Sequence, residues 1–491
     1  MNEKAQNINE TADEEVVKER ERKQFYKMTK TPIPRLIIGL GIPTTLSMMV
    51  TSLYNLADTY FVSLIGNDSV TAAVSNLLAL MSIIQAIGFT FGMGSGNIVS
   101  RLLGKRDREG ADKVASSAFF IAAAFGSIIL IFGFLFLTPL MKLFGSKQAD
   151  VLRYSKEYAP YILIAAPFMC MSFVMNNLLR AEGKAVLSMI GLICGAVVNV
   201  VLDPILIFVA GLGIAGAAIA TCVSQILGFC ILLGMFLSKK TIVRLRARSI
   251  SKNFEVYWNV ASTGFPSFCR QVLASLCTVF LNNAANAYGG EAAQAALGVV
   301  QKMFMLAFSI SLGIGQGYQP VLGYNYSAKR FDRVRTAYLF TLAFSTCLMF
   351  CFATVCAILA PHIMSMFSLS AQATDIGTLT LRLQCICMPL LPVNFMVGIT
   401  YQAVGSRFIA FLLSTSRQGL FYIPAVLILP KLFQLFGVQC CQAVSDFFAF
   451  FFAVPFTVLF FKTLKKEEIK AKEENAEMSS DIKWEAPNFD E

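Results

Sequence analysis

Residues 41–47 read GIPTTLS, and residues 264–270, which lie 223 positions further on, read GFPSFCR. The same displacement relates residues 41–114 to residues 264–337 without a gap. Further along the chain the displacement becomes 222, and the matching pairs there are Pro167 with Pro389 and Gly183 with Gly405. The chain is therefore a fused duplication of one unit.

The composition of the 491-residue chain excludes an ordinary soluble protein. Hydrophobic residues make up 56% of the sequence, charged residues make up only 14%, and the mean hydropathy is +0.63. Because a transmembrane helix needs about 20 mostly apolar residues, the sequence predicts an all-α integral membrane protein with twelve transmembrane helices. The predicted spans cover residues 36–63, 70–100, 113–138, 149–180, 185–208, 212–238, 258–287, 293–324, 333–360, 371–404, 408–433 and 436–462.

Each copy of the repeat contains six of these spans. Because six is an even number, the second copy enters the membrane from the same side as the first, and we expect two parallel, pseudo-symmetric six-helix lobes. Such duplicated apolar units are typical of secondary transporters whose substrate path lies between the halves. The predicted order is N-terminal tail, first lobe, linker, second lobe and C-terminal tail, at residues 1–35, 36–238, 239–257, 258–463 and 464–491.

The formal net charge of +11 is concentrated in alternate loops. Lys and Arg cluster before the first span, after the second, between the sixth and seventh, after the eighth and after the twelfth. This positive-inside pattern predicts a multi-pass protein of the cell membrane with both termini in the cytoplasm, and it argues against nucleic-acid binding. One loop is an exception, since Lys142 and Arg153 lie on the predicted outer side; helix boundaries are least defined at residues 139–157.

Two carboxylates inside the spans do not recur in the second copy. Asp58 in the first span corresponds to Leu281, and Asp203 in the fifth corresponds to about Ala425. A charged side chain at the centre of a span costs at least about 2.5–3.5 kcal/mol on insertion scales, so both are candidates for function. The alternative for Asp203 is structural, because it precedes Pro204 and the helix could simply end there.

Polar neighbours strengthen this candidate site. Asn199 lies four residues before Asp203 and Asn55 lies three residues before Asp58, so each pair shares a helix face. The remaining polar candidates of the first lobe are Asn176, Asn177 and Thr221. Two carboxylates among neutral oxygens suit a monovalent cation or a shared proton, since two buried acids do not easily hold both charges.

Basic residues inside spans belong to the second lobe, with Arg270 in the seventh span and Lys302 in the eighth. Lys302 lies too deep for its ammonium group to reach the membrane surface easily. In a functional role it faces the central cavity, tunes a neighbouring acid or binds an anionic group. In a structural role it forms an ion pair. Pro43 is expected to bend the first span near Asp58. Its repeat partner Pro266 indicates that a kink also belongs to the fold.

Several motifs resemble the multidrug and toxic compound extrusion (MATE) transporters. They occur in the order and at the spacing of that family, and they are Asn55–Val62 (NLADTYFV), Ala72–Ala73, the glycines of the second span, Arg180–Gly183 (RAEG) and Asn199–Pro204 (NVVLDP). The resemblance covers residues 32–463 and is closest to the prokaryotic branch with a coupling site in the N-terminal lobe. It implies a cation site formed by five residues: Asp58, Asn176, Asn199, Asp203 and Thr221.

The resemblance implies an export antiporter that exchanges H⁺ or Na⁺ for lipophilic, cationic compounds by alternating access. We expect a monomer in the lipid bilayer, with no cofactor besides the coupling ion and no metal beyond Na⁺ at that site. One alternative is a flippase for lipid-linked precursors, which Arg270 and Lys302 keep open. The other is an intramembrane enzyme, but no His, paired catalytic Asp or Ser/Lys arrangement is placed to serve one.

Overall fold

Helices make up almost all of the chain. The computed structural model describes residues 18–65, 68–146, 148–238, 240–367 and 370–481, and this part of the chain contains no β-strand. A short helix at residues 18–30 precedes the first span. The six spans of the first lobe are Ile33–Ser63, Asp68–Gly104, Arg108–Leu135, Ala149–Ala181, Ala185–Pro204 and Gly213–Leu237. A short helix, Leu137–Leu143, lies between the third and fourth spans.

The second lobe contains two long helices, and each is broken once. Phe254–Ser327 has a non-helical residue at Gly290 (φ 63°, ψ −160°), which separates the seventh span from the eighth. The ninth span is Phe331–Ser365, and the tenth is Ala371–Cys387 continued by Leu391–Val404. The eleventh begins with Arg407–Thr415 and enters Ile423–Asp481, where Gln434 (φ 51°, ψ −130°) begins the twelfth.

The described chain therefore contains the twelve predicted spans, in two lobes of six. The repeat of the sequence extends to the backbone, since Arg106 and Lys329, which are 223 positions apart, adopt positive φ values of 62° and 54° respectively. Each of them ends the turn after the second helix of its lobe. The predicted tails lie partly outside the described residues, and the described C-terminal part continues the last helix to Asp481.

Glycines form the contact between the two lobes. A Cβ atom on Gly94 would lie 2.1 Å from the Val260 carbonyl oxygen and 3.1 Å from the Gly264 nitrogen. The repeat maps Gly94 onto Gly317 and Gly264 onto Gly41, and a Cβ atom on Gly317 would lie 2.6 Å from the Gly41 nitrogen. Backbones this close exclude any side chain, so these small residues pack the two lobes together.

We call the end of the lobes that carries Ile33, Arg108 and the inter-lobe linker the terminal face. Hydrogen bonds to the second lobe extend from this face to slightly beyond the middle of the first span, Ile33–Ser63. Among the described residues, the bond nearest this face is the one that Asn325 donates to the Met28 carbonyl (3.0 Å). The bond furthest from it joins the hydroxyl groups of Ser52 and Ser309 (2.7 Å). The lobes are therefore closed against each other towards the terminal face.

Candidate functional site

Asp203 is fully buried and its carboxylate is unsatisfied. The residue is 0% exposed, and neither carboxylate oxygen has a hydrogen-bond partner within the described chain. The helix does not end at Asp203, because it continues through Pro204 into a π-helix at Ile205–Val209. The structural alternative for Asp203 therefore does not hold, and π-helical turns are frequent at functional sites.

Asp58 lies close to Asp203. Its side chain is half-buried, its Oδ1 atom has no partner within the described chain, and the two carboxylates interact electrostatically. Asp58 lies five residues before Ser63, where the first span ends. The pair is therefore in the half of the first lobe away from the terminal face, rather than at the centre of a span.

Two of the predicted neutral residues join these acids. The Asn199 amide nitrogen lies 3.4 Å from the Thr221 hydroxyl, and both residues are buried. The Asn199 Oδ1 atom has no hydrogen-bond partner in the described part of the chain. Because Asn199 lies one helical turn before Asp203, its free carbonyl oxygen is on the same helix face as that carboxylate.

Two tyrosines at the site were missed by the sequence analysis. Tyr158 in the fourth span is 1% exposed, lies near Thr221, and interacts electrostatically with both Asp58 and Asp203. Tyr54 lies one turn before Asp58 on the first span and interacts with it, with Gln225 beside its hydroxyl. The four-residue spacing from Tyr54 to Asp58 was visible in the sequence, but Tyr158 carries no comparable pattern.

Asn176 and Asn177 do not belong to this cluster. The Asn176 side-chain oxygen accepts a hydrogen bond from the Ser188 hydroxyl, near the terminal face. Ser188 precedes Asn199 by eleven residues of the same helix, which corresponds to roughly 16 Å. The Asn177 amide donates to the Phe173 carbonyl (2.7 Å). The prediction that the fourth span contributes Asn176 is wrong in this structure, and Tyr158 is the fourth-span residue at the site.

Pro43 also lies away from the acids. It is inside the first helix, and the Ser47 hydroxyl donates to its carbonyl oxygen (2.8 Å). Fifteen residues of helix separate Pro43 from Asp58, or roughly 22 Å. The expectation of a bend close to Asp58 is therefore wrong, because Pro43 lies in the half where the lobes touch. Asn55 is half-buried on the same helix, three residues before Asp58.

The two basic candidates of the second lobe do not face each other. The Arg270 guanidinium lies over the Phe395 ring at 5.4 Å from its centroid. The Lys302 ammonium lies 6.0 Å from the centroid of Phe367, which follows the end of the ninth span. Lys302 is thus directed towards the face opposite the terminal face, away from Arg270.

The cluster in the first lobe has the chemistry of a cation site. Its unsatisfied oxygens, all buried, belong to Asp58, Asp203, Asn199 and Tyr158. A buried polar atom without a partner costs about 1–3 kcal/mol, so such a group of acceptors calls for a positive charge or a proton. Carboxylate and amide oxygens are suitable ligands for hard cations.

Comparison with known proteins identifies the family. A family model described as MatE matches residues 43–205 and 266–428, one segment in each lobe and more than half of the chain in total. The chain belongs to the MatE family. The MATE resemblance of the sequence motifs is therefore confirmed.

Relatives and solved structures of this family resemble the chain along most of its length. The multidrug export protein MepA of Staphylococcus saprophyticus is 24% identical, over 86% of this chain and 93% of that protein. A structure described as the outward-facing conformation of a multidrug resistance MATE family transporter of the MOP superfamily is 27% identical and has a TM-score of 0.85, covering 90% of this chain and 98% of the other.

A third comparison concerns a MOP superfamily transporter from Pyrococcus furiosus, whose description reports a reverse polarity of its binding pocket and suggests a different function. It is 26% identical and has a TM-score of 0.84, covering 89% of this chain and 98% of the other. This chain thus shares its architecture with transporters. Both the MepA relative and the outward-facing neighbour are transport proteins and not enzymes.

Proposed function

We propose that this MATE family member is a secondary active multidrug exporter of the cell membrane, which exchanges H⁺ or Na⁺ for lipophilic, cationic compounds. The observation that carries the proposal is the pair of acids Asp58 and Asp203. Asp203 is buried and neither of its carboxylate oxygens has a partner in the described chain, and the same holds for the Oδ1 atom of the half-buried Asp58. The second lobe has Leu281 and about Ala425 in the corresponding places. The fold therefore does not need these acids, and a role in ion coupling explains why they are tolerated inside the membrane.

The conformation of this structure follows from the sidedness of the lobes. With both termini in the cytoplasm, as the charge pattern predicts, the terminal face is the cytoplasmic side. The closed contact through Gly94 and Gly264 then seals the path towards the cytoplasm, and the path opens outward. The similarity to the outward-facing neighbour supports this assignment.

Exchange requires that ion and cargo favour different states of the same protein. A monovalent cation or proton that enters from outside removes one negative charge from the pair Asp58 and Asp203, and this weakens the electrostatic attraction of a cationic cargo to the first lobe. Cargo leaves outward, and the lobes rearrange to release the ion inside. The protein acts as a monomer, and the coupling ion is its only required small partner besides the cargo.

Efflux from proteoliposomes tests the proposal. A fluorescent lipophilic cation is loaded, and H⁺ and Na⁺ gradients are imposed separately on the wild type, Asp58→Asn and Asp203→Asn. We expect each substitution to abolish gradient-driven efflux, because asparagine can neither take up and release a proton nor supply a negative charge to a cation. Asp107→Asn is the matched control, since Asp107 caps a helix through the Gly110 nitrogen (2.9 Å) and asparagine caps equally well. Unchanged efflux in both site variants would refute the coupling role.

A further inference from the structure

A cavity of about 440 Å³ lies at the terminal face, between the two lobes. Its wall includes Arg101 and Lys105 at the end of the second span and Lys329 after the eighth. The helix that continues the twelfth span closes one side of the cavity with Lys470 and Glu474. A volume of this size is typical of small-molecule sites. Both lobes thus enclose a space that can hold a ligand.

Positive charge exceeds negative charge in this cavity. Four basic side chains line it, but only two acidic ones, Glu467 and Glu474. Glu474 is paired with Lys329 (2.6 Å). Arg101 and Lys105 form no ion pair among the residues that the structure describes. The first lobe therefore contributes two cations to the cavity that have no salt-bridge partner.

Arg101 is held in place by contact with the second lobe. Its side chain is partly buried, and its Nη1 atom lies so close to Gly405 that a Cβ atom would not fit there. Arg407 acts on Arg101 as a like charge. The Lys105 nitrogen donates to the Arg101 carbonyl (3.0 Å), so one helical turn separates these two cations. An anion in the cavity would relieve the repulsion between like charges.

The internal repeat locates the equivalent of this cavity in the other half of the molecule. Displacements of 223 and 222 map Lys329 onto Arg106 and Gly405 onto Gly183. Lys329 and Arg106 share a backbone conformation, with φ values of 54° and 62°. Gly405 and Gly183 do the same, with φ values of 97° and 75°. The two places therefore have one backbone framework, and the difference between them lies in what fills them.

The short N-terminal helix fills the equivalent place. The Arg106 guanidinium lies over the Phe25 ring of this helix, 4.4 Å from its centroid. A Cβ atom on Gly183 would lie 2.8 Å from the Met28 sulfur. Glu21 of the same helix interacts electrostatically with Arg106. The occupant of this place thus combines apolar side chains with a carboxylate, and the cavity offers the corresponding space to a ligand that is apolar and anionic.

We propose that the cavity is a binding site for a phosphate group, with Arg101 and Lys105 as its ligands. The guanidinium group matches phosphate in geometry, and the ammonium group adds a second positive charge. Apolar side chains of Ile98 and Phe331 line the same cavity and suit the glycerol and first carbons of a phospholipid. Basic pockets between helices at the membrane surface are typical sites for anionic lipid headgroups.

A soluble phosphate ester would use the same two ligands without the apolar contacts, so the source of the phosphate is a matter for experiment. The inference goes beyond the proposed export function. The cavity lies at the terminal face, whereas Asp58 and Asp203 lie in the half of the first lobe away from it.

Three matched probes test the inference. Dihexanoyl phosphatidylglycerol, dihexanoyl phosphatidylcholine and the deacylated headgroup glycerophosphoglycerol are titrated at constant ionic strength into the full-length protein in uncharged detergent, and binding is followed by microscale thermophoresis. We expect the wild type to bind phosphatidylglycerol at least about tenfold more tightly than phosphatidylcholine, because only the former has a net charge. Arg101→Gln is expected to remove this preference, and Lys105→Gln to reduce it about threefold to fivefold.

The control is Lys113→Gln, which removes the same charge near the same face. Lys113 is exposed, pairs with Glu109 (2.7 Å) and does not line the cavity, so we expect no change in lipid binding. Because Lys105 is exposed, its variant remains informative if Arg101→Gln does not fold.

Glycerophosphoglycerol binding as tight as that of the lipid, with the same loss in Lys105→Gln, would support the phosphate site and assign it to a soluble ester. Weaker binding of the deacylated headgroup would support a lipid as the source. Equal binding of the two lipids by the wild type, or equal effects of Lys105→Gln and Lys113→Gln, would overturn the inference.

Discussion

At the scale of single residues, the buried aspartates Asp203 and Asp446 show how context decides the role of a carboxylate. Asp446 has Arg417 at 2.6 Å and Gln442 at 3.0 Å, so its charge is compensated. Asp203 is equally buried, but the nearest charge that acts on it is the like charge of Asp58. Removal of Asp446 would leave the Arg417 charge buried and unpaired, whereas the like charges of Asp58 and Asp203 repel each other.

This contrast predicts opposite effects of the same substitution on stability. Asp203→Asn is expected to raise the melting temperature by a few degrees in Na⁺-free alkaline buffer, because it removes a buried like-charge repulsion. Asp446→Asn is expected to lower stability by about 3–5 kcal/mol, because it leaves the Arg417 charge unpaired. Thermal unfolding of the purified proteins in detergent measures both, and a destabilised Asp203→Asn would contradict the account.

Tyr158 supplies a second prediction at this scale. Its hydroxyl group interacts with both acids, so Tyr158→Phe is expected to weaken binding of the coupling ion about threefold to tenfold, the usual range for one hydrogen bond. Tyr338→Phe is the control, because the Tyr338 hydroxyl contacts Thr457 in the second lobe (3.1 Å). The Na⁺ and pH dependence of transport would show the difference, and equal dependence in both variants would exclude Tyr158 from the site.

At the scale of helices, glycine decides how closely the lobes approach each other. Gly94 and Gly264 allow backbone contact between the second and seventh spans, and Gly41 and Gly317 do the same for the first and eighth. Contacts of this kind have no space for even one methyl group. The closed state of the terminal face therefore depends on these four positions.

A pair of glycine substitutions tests this dependence. Gly94→Ala places a methyl group against the Val260 carbonyl and is expected to destabilise the closed contact by about 1–3 kcal/mol. Gly39→Ala is the control, since a Cβ atom there meets nothing within 4 Å. We expect efflux to fall at least about fivefold in the first variant and to remain unchanged in the second. Equal efflux in the two variants would show that the glycine contact does not control the cycle.

At the scale of the whole molecule, the sequence predicted the duplication, the twelve helices and the two lobes, because hydropathy and repeat spacing are properties of long segments. The break at Gln434 falls between the predicted eleventh and twelfth spans. The sequence did not predict that Gly290 alone would separate the seventh span from the eighth, since such a tight turn depends on a single backbone conformation. Boundaries in the second lobe therefore differ from the predicted ones by several residues.

The candidate site was predicted only in part, and the reason is again physical. Asn199 and Asp203 share a helix face, so their proximity follows from helix geometry. Asn176 and Tyr158 are both on the fourth span, and only the packing of that helix against the fifth decides which one reaches the acids. A pattern within one segment contains no information about the depth at which two helices face each other.

The two lobes differ in charge although they share one fold. The first has an unsatisfied acid pair, Asp58 with Asp203, and the second has an excess of positive charge at Arg270 and Arg417. Each elementary charge that moves through 100 mV changes the free energy by about 2.3 kcal/mol. In the proposed antiport cycle, an electrical gradient therefore acts on the net charge that the ion and the cargo carry across the membrane.

The most direct test of the central claim is the affinity for a lipophilic cation, measured by fluorescence polarisation at a series of pH values and Na⁺ concentrations. If ion and cargo compete through Asp58 and Asp203, the wild type will bind the cargo more weakly as the pH falls or as Na⁺ increases. The account predicts that Asp203→Asn abolishes this dependence and keeps a constant affinity. Two results would contradict the account: a wild-type cargo affinity that does not change with pH or Na⁺ concentration, or an Asp203→Asn variant whose cargo affinity changes as that of the wild type does.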